Sequence, residues 1–139
     1  MNVFVDQNLP PVLATTIDGF IRHDGGKAFH ISECPGLPTG KRSTDVEWIS
    51  FLSTALGLWI FLTADKRLIK NPVERSALRA AGRHGFVLAS GFQTMPLHQR
   101  ASILIWKWPD IVKIVDLTTP PTMFEISVGR SGKLQSLPI

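Results

Sequence analysis

Two short, uninterrupted apolar runs in this sequence each lead directly to an aspartate. Val3–Val5 comes immediately before Asp6, and Leu58–Thr63 comes shortly before Asp65. Runs of this kind, with no alternating polar residues, are typical of strands in a parallel sheet that is covered on both faces. Parallel strands need long crossover connections, which are usually helices. The two runs therefore predict an α/β fold.

The rest of the chain supplies the helices that such a fold needs. Thr44 and Glu47 have the spacing of a capping box, and we expect their helix to end at Gly57. Asn71, Pro72 and Glu74 have the signature of a second capping box. The remaining predicted elements are a helix at 11–20 capped by Asn8, a helix closed by Gly82, a helix at 96–108, and strands at 28–31, 86–89 and 122–128. We predict a single domain over residues 1–139, with a three-layer α/β/α architecture and a central, mainly parallel sheet.

Composition narrows the class of protein. The 139 residues include one cysteine, Cys34, so a disulfide framework and a cysteine-based zinc site are both excluded, and a reducing cytoplasmic location is expected. The net charge of +4 permits a polyanionic partner. Residues 48–64 carry no charge but fall short of the roughly 20 apolar residues of a membrane span. We therefore predict no membrane association.

Three aspartates are the candidate catalytic and metal-binding residues. Asp6 and Asp65 follow predicted strands, and Asp45 opens a predicted helix. Asp45 alone could complement the helix dipole, and Asp65 alone could be a turn residue. Together at one sheet edge they would repel one another, and a divalent cation would remove that penalty. Oxygen ligands favour Mg²⁺ or Mn²⁺ over zinc.

The order of three segments resembles a known family. "FVDQNLP", "STDVEWISFL" and "LWIFLTADKRLIKNPVERSALRAAG" resemble the PIN-like domains, most closely the compact group related to VapC-type toxins. The resemblance extends over almost the whole chain, and Asp6, Asp45 and Asp65 match the family's aspartates. It implies a PIN-like fold and an acidic cluster that binds Mg²⁺ or Mn²⁺ for RNA cleavage. A fourth acid has no clear counterpart; the alternatives are Asp18, Glu33 and the second-rank candidate Glu47, which the capping box also needs.

The resemblance also implies a function and partners. It predicts a metal-dependent endoribonuclease, the toxin of a type II toxin–antitoxin pair, with RNA as substrate and a cognate antitoxin as partner. A homodimer through the apolar segment at 101–108 is a further possibility. The alternative is a catalytically silent PIN-like module that binds nucleic acid or protein. A response-regulator-like receiver fits less well, because the acidic pair expected after the first strand is missing.

Basic residues are concentrated beside Asp65. Residues 65–83 contain six basic and two acidic residues, a local excess equal to the charge of the whole chain. This segment is either a solvated helix face or a track for phosphates. The predicted substrate contacts are Asn8, Lys66, Arg67 and Arg75, and Arg79 and Arg83 are expected on the same helix face as Arg75. The four tryptophans are expected to pack in the core or at an interface.

Overall fold

The computed structural model describes residues 1–37 and 39–139 and contains one six-stranded sheet. The first five strands are parallel, and the sixth pairs antiparallel with the fifth. The spatial order is β2-β1-β3-β4-β5-β6. The strands are β1 (Asn2–Val5), β2 (Lys27–His30), β3 (Trp59–Thr63), β4 (His84–Leu88), β5 (Thr122–Ile126) and β6 (Gln135–Leu137). The mainly parallel α/β sheet is confirmed.

Helices cover both faces of this sheet. They are α1 (Pro11–Ile21), α2 (Asp45–Thr54), α3 (Pro72–Ala81) and α4 (Leu97–Leu117). The apolar side chains of α1 and α4 share one core cluster with Val3 and Val5, and those of α2 and α3 share the other with Phe4. Successive residues of β1 thus point to opposite faces, as the strand period requires. The predicted three-layer architecture is confirmed. Of the described helices, none is long and apolar enough to cross a membrane.

Local signals position the helix starts well but the ends less well. Thr44 and Glu47 form the predicted capping box of α2. That helix ends at Thr54, before the expected Gly57. The prediction that Asn8 caps α1 is wrong, because Pro10 is the N-cap and no side chain caps that helix. Asn8 makes different hydrogen bonds, which are described with the site below.

The C-terminal third departs most from expectation. We expected a helix at 96–108, but α4 continues through Pro109 to Leu117. A proline removes one backbone hydrogen bond from a helix, whereas Trp108, Ile111 and Val115 bury apolar surface on its inner face. The expected strand at 122–128 ends at Ile126, and β6 was not predicted.

The topology creates a crevice at the carboxyl ends of β1 and β3. These strands are neighbours in the sheet, yet α1 leaves β1 toward one face and α3 leaves β3 toward the other. Where consecutive connections leave toward opposite faces, the loops separate, and ligands of open α/β sheets bind at such a point. Asp6 and Asp65 follow the two strands that flank it.

Candidate functional site

Asp6 is buried at the carboxyl end of β1, with only 4% of its surface exposed. Its Oδ2 accepts a hydrogen bond of 3.0 Å from Thr63 Oγ1 at the end of β3. Its Oδ1 accepts one of 2.6 Å from the backbone N–H of Gln7. Both oxygens are therefore held by donors, one just after β1 and one at the last residue of β3.

The pKa of Asp6 is raised above its ordinary value. Burial is the largest cause, because it disfavours the charged carboxylate, and the negative charges of Asp45 and Asp65 add to it. The hydrogen bonds from Gln7 and Thr63 act in the opposite direction without cancelling the effect. The three predicted aspartates are thus close enough to interact electrostatically.

Asp65 is neutralised by Arg67. Its Oδ1 accepts hydrogen bonds of 2.9 Å from both the backbone N–H and the Nε of Arg67, and its Oδ2 accepts one of 3.2 Å from Nη2. Burial raises the pKa of Asp65, but these contacts with Arg67 outweigh it, so that the pKa is lowered overall. Arg67, predicted to contact substrate, is 86% exposed and here serves as the counter-ion of a site carboxylate.

Glu74 is the acidic residue of this cluster that the sequence analysis missed. It lies in the first turn of α3, and Asp45 lies in the first turn of α2. The pKa of Glu74 is raised by burial first, then by the charge of Asp45 and a hydrogen bond between the two carboxyl groups, and further by Asp65. Asp45 Oδ1 also accepts a hydrogen bond of 3.0 Å from Trp48 Nε1. Four acidic side chains therefore influence one another at this edge.

A positional signal could have identified Glu74. Helices that follow parallel strands begin at the carboxyl edge of the sheet, so an acid in the first turn of α3 lies at the same edge as Asp45 in α2. We assigned Glu74 to a capping box instead. Asn71 does accept hydrogen bonds from the N–H groups of Val73 and Glu74, but the Glu74 carboxyl group interacts with Asp45.

The three acids considered for the fourth position have other surroundings. Asp18 accepts a hydrogen bond of 2.9 Å from the backbone of Ala28, at the amino end of β2, and pairs with Arg22. Glu47 completes the capping box and accepts a hydrogen bond from Thr39. Glu33 is exposed in a short 3-10 turn after β2.

Asn8 and Lys66, predicted to contact substrate, make contacts within the chain. Asn8 Oδ1 accepts hydrogen bonds from the N–H of Ala64 at 2.8 Å and from Thr63 Oγ1 at 3.4 Å. It therefore ties the segment after β1 to the segment after β3. Lys66 pairs with Glu125 of β5.

The expected row of arginines on one helix face is only partly present. Arg75 is half-buried in the first turn of α3, and in the described part of the chain nothing accepts a hydrogen bond from its Nε. Arg79 is exposed on the same helix. The placement of Arg83 on that helix face is wrong, because α3 ends at Ala81. The Arg83 guanidinium instead donates hydrogen bonds to backbone carbonyls in the last turn of α2 and just after it. Those carbonyls belong to Leu52, Ala55 and Gly57.

The donor set of the cluster consists of oxygen atoms, which suits Mg²⁺ or Mn²⁺. Residues 1–37 and 39–139 contain no group of three or more His, Cys, Asp or Glu side chains that is already arranged to hold a metal ion. Arg67 balances the charge of Asp65, whereas the charges of Asp45 and Asp65 raise the pKa of Glu74. Metal binding and catalysis by these residues stay predictions.

One comparison with known proteins gives a match, to a family model. A family model described as a PIN like domain matches residues 1–90, a segment that contains Asp6, Asp45, Asp65 and Glu74. No curated protein and no solved structure matches the chain.

Proposed function

The chain belongs to the PIN-like domain family, a nuclease-type family, and on that premise we propose that it is a Mg²⁺- or Mn²⁺-dependent endoribonuclease. One observation supports this proposal above others. Asp6 and Glu74 both have raised pKa values, and in each case the charges of Asp45 and Asp65 contribute. Such mutual repulsion is costly unless a cation relieves it.

Asp6, Asp45, Asp65 and Glu74 are the proposed metal ligands. Their oxygen atoms fit a hard divalent cation, and the positive charge of that cation would relieve the repulsion between the carboxylates. When bound, the cation would activate water and stabilise the charge on the leaving oxygen of a phosphodiester. Asp65 would share or give up its ion pair with Arg67 on binding, since that guanidinium supplies the positive charge now.

The protein's own groups have distinct proposed roles. Thr63 and Gln7 hold the Asp6 carboxyl group in one orientation through their hydrogen bonds. Asn8 fixes the distance between the segments that carry Asp6 and Asp65. Arg67 is exposed and beside the cluster, so it is the proposed contact for the phosphate next to the cleaved bond.

A cleavage assay tests the proposal. Wild-type protein with Mg²⁺ or Mn²⁺ should cut single-stranded RNA to products with 5′-phosphate and 3′-hydroxyl ends, and EDTA should stop the reaction. Asp65→Ala should lose cleavage, whereas Glu47→Ala, which removes an exposed acid of the capping box, should keep it. Equal cleavage by wild type and Asp65→Ala would contradict the proposed site.

On the resemblance to VapC-type toxins, we propose a cellular role as the toxin of a toxin–antitoxin pair, with a small cognate antitoxin as partner. Expression of the wild type should then arrest bacterial growth, and expression of Asp65→Ala should not. If both proteins arrest growth when expressed at equal levels, the toxicity does not depend on the acidic cluster.

A second candidate is a catalytically silent PIN-like module that binds nucleic acid or a partner protein. Two observations favour it: Arg67 already neutralises Asp65, and the described residues contain no preformed set of three ligands. RNA binding that is unaffected by Mn²⁺, together with no cleavage at any metal concentration, would support this candidate over the nuclease.

A further inference from the structure

Trp106 of α4 lies on the surface, in contrast to the other tryptophans. It is 62% exposed, whereas Trp48, Trp59 and Trp108 are all buried. Exposing a large aromatic ring to water is unfavourable, so an exposed ring beside a cleft marks a candidate contact for a ligand or partner. Core packing thus accounts for three of the four tryptophans, and Trp106 is the one available for contact with a ligand or partner.

A positive charge is held against the Trp106 ring. The Arg130 guanidinium carbon lies 5.5 Å from the ring centroid, within the range of a cation–π interaction. In the described chain, Arg130 has no ion-pair partner among the acidic side chains. The pair therefore presents both a flat apolar surface and an uncompensated positive charge.

Two adjoining clefts include this pair in their linings. One, of about 690 Å³, is lined by Trp106, His98 and Ser102 among others, and the second, of about 330 Å³, is lined by Arg130, His98 and Ser102 among others. No carboxylate lines either cleft. Both clefts are open to solvent. The lining of the larger is mainly apolar and includes the Trp106 ring, whereas the smaller is more polar and includes the Arg130 guanidinium. An apolar, aromatic surface next to a polar, basic one is complementary to an anion that carries planar groups.

The loop that carries Arg130 is fixed in place. Lys107, next to Trp106, is fully buried, and its Nζ donates hydrogen bonds of 2.7 Å to the backbone oxygen and to the Oγ of Ser127. Gly132 turns back toward Gly129 through a backbone hydrogen bond of 3.1 Å, and a side chain at Gly132 would collide with Ser127. The backbone on both sides of Arg130 is therefore held in place before any ligand arrives, which reduces the entropy cost of ordering this loop on binding.

This loop leaves the sheet at the same edge as the acidic cluster. Ser127 follows the carboxyl end of β5, as Asp6 follows β1 and Asp65 follows β3. β5 lies two strands from β3, about 10 Å at the usual interstrand spacing. The loop that carries Arg130 therefore begins at the sheet edge that also carries Asp6 and Asp65.

We propose that Trp106 and Arg130 form a binding site for unpaired nucleotides of a single-stranded RNA, with a base stacked on the indole ring and a phosphate beside the guanidinium. The proposal rests on the proposed function for the identity of the nucleic acid. The ring–cation pair, the acid-free clefts and the rigid loop together favour this ligand, since stacking on aromatic rings beside basic groups is how single strands are bound without base pairing.

Binding can be measured apart from cleavage. The full-length protein is titrated, in EDTA, against a dye-labelled single-stranded oligouridine of about ten nucleotides, and anisotropy gives the affinity. Trp106→Ala should weaken binding about tenfold, and Trp106→Phe should retain most of the affinity. Arg130→Ala should weaken binding and lower the slope of log affinity against log salt by about one.

Two matched variants control for general effects. Leu56→Ala removes another exposed apolar side chain, and Lys133→Ala removes another exposed positive charge from the same loop region. Both should bind as the wild type does, and circular dichroism should show that every variant is folded. A duplex of the same length should lose little affinity in Trp106→Ala, because its bases are already stacked.

Several outcomes would overturn the inference. One is that Trp106→Ala and Arg130→Ala bind the oligouridine with the affinity of the wild type. Another is a Trp106→Ala variant whose only change is the loss of a dimer, or of a complex with a partner protein, which would make this face a protein interface.

Two further outcomes separate this inference from the proposed function. If RNA binding depends on Trp106 but no RNA is cleaved, the binding site is supported and the nuclease proposal fails. If RNA is cleaved but its binding does not depend on Trp106, the nuclease proposal is supported and the binding site fails.

Discussion

Asp6 and Asp18 are both aspartates next to strands of the same sheet, but their surroundings differ. Asp18 lies by the amino end of β2, where the backbone N–H of Ala28 and the Arg22 guanidinium lower its pKa. Asp6 lies at the carboxyl end of β1, where burial and two neighbouring aspartates raise its pKa. Both carboxylates accept hydrogen bonds, but at Asp6 burial and neighbouring negative charges outweigh them, whereas at Asp18 the hydrogen bonds dominate.

This difference separates a structural acid from a candidate ligand. A carboxylate that is satisfied by donors stabilises the fold in its charged form. A buried carboxylate that faces other carboxylates destabilises the fold in its charged form, so its presence is explained by something that binds there. Asp18 also lies at the amino end of β2, away from the carboxyl ends that carry Asp6 and Asp65, which favours Glu74 as the fourth acid. The pKa of Glu74 is raised mainly by burial and neighbouring acids, as is that of Asp6.

The largest expected effect comes from replacing each of these two aspartates in turn by asparagine. Asp6→Asn should lower the rate of RNA cleavage by at least about a hundredfold, because it removes a ligand from the centre of the cluster. Asp18→Asn should cut RNA at the wild-type rate but lose about 1 kcal/mol of stability, since a charged acceptor becomes neutral. Cleavage kinetics and urea unfolding measure the two effects. Equal losses of activity in both variants would abolish the distinction.

A smaller effect should follow at Glu74. Glu74→Gln should weaken Mn²⁺ binding by about ten- to a hundredfold, because a neutral amide replaces a charged ligand. Glu47→Gln is the matched control, since Glu47 contacts Thr44 and Thr39 and should leave Mn²⁺ affinity unchanged. Isothermal titration calorimetry gives both constants. Weaker binding in the control alone would assign the fourth acid to Glu47.

The pH dependence of stability should differ between Asp6 and Asp18. An acid with a raised pKa binds more protons when folded than when unfolded, so it makes stability fall as the pH rises from the unfolded pKa through the folded one. Asp6→Asn should therefore melt a few degrees above the wild type at neutral pH in EDTA, with the difference vanishing in acid. Asp18, with a lowered pKa, loses its stabilising contribution as the pH falls through that value, so Asp18→Asn should be destabilised near neutrality and match the wild type in acid. Melting curves over a pH series would show whether these two trends are instead parallel.

The smallest effect is expected at Arg67. Arg67→Ala should tighten Mn²⁺ binding by up to about fivefold, because the exposed guanidinium no longer competes for Asp65. Arg79→Ala removes the same charge from an exposed position on α3 and should change the affinity less. The comparison is made at low salt, where surface charges are least screened. If both variants bind Mn²⁺ with equal affinity, Arg67 affects binding only through its contribution to the overall positive charge of the protein, and not through its ion pair with Asp65.

Much of the fold follows from local sequence. The apolar runs at β1 and β3 and the capping box of Thr44 and Glu47 were sufficient to predict the layers and the parallel sheet. The continuation of α4 through Pro109 could not be predicted, because it depends on how Ile111 and Val115 pack against a sheet formed by distant residues. β6 likewise owes its existence to pairing with β5.

The candidate site was predictable only in part. Asp6 and Asp65 follow apolar strands, so their shared edge could be inferred from strand direction. Glu74 was assigned to a cap, because spacing along the chain does not reveal that its carboxyl group lies against Asp45. The ion pair of Arg67 with Asp65 could not be predicted for a similar reason, since it depends on the turn after β3. The predicted contact of Arg67 with substrate stays a prediction.

The most direct test of the central claim is the melting temperature of the wild type and of Asp6→Asn as Mn²⁺ is increased at neutral pH and constant ionic strength. If the acidic cluster is a cation site, the wild type should gain stability in proportion to the logarithm of free Mn²⁺, reaching about 2.7 kcal/mol at a hundred times the dissociation constant, while Asp6→Asn gains far less. A wild-type melting temperature that does not change over the titration, or equal gains in both proteins, would contradict the claim.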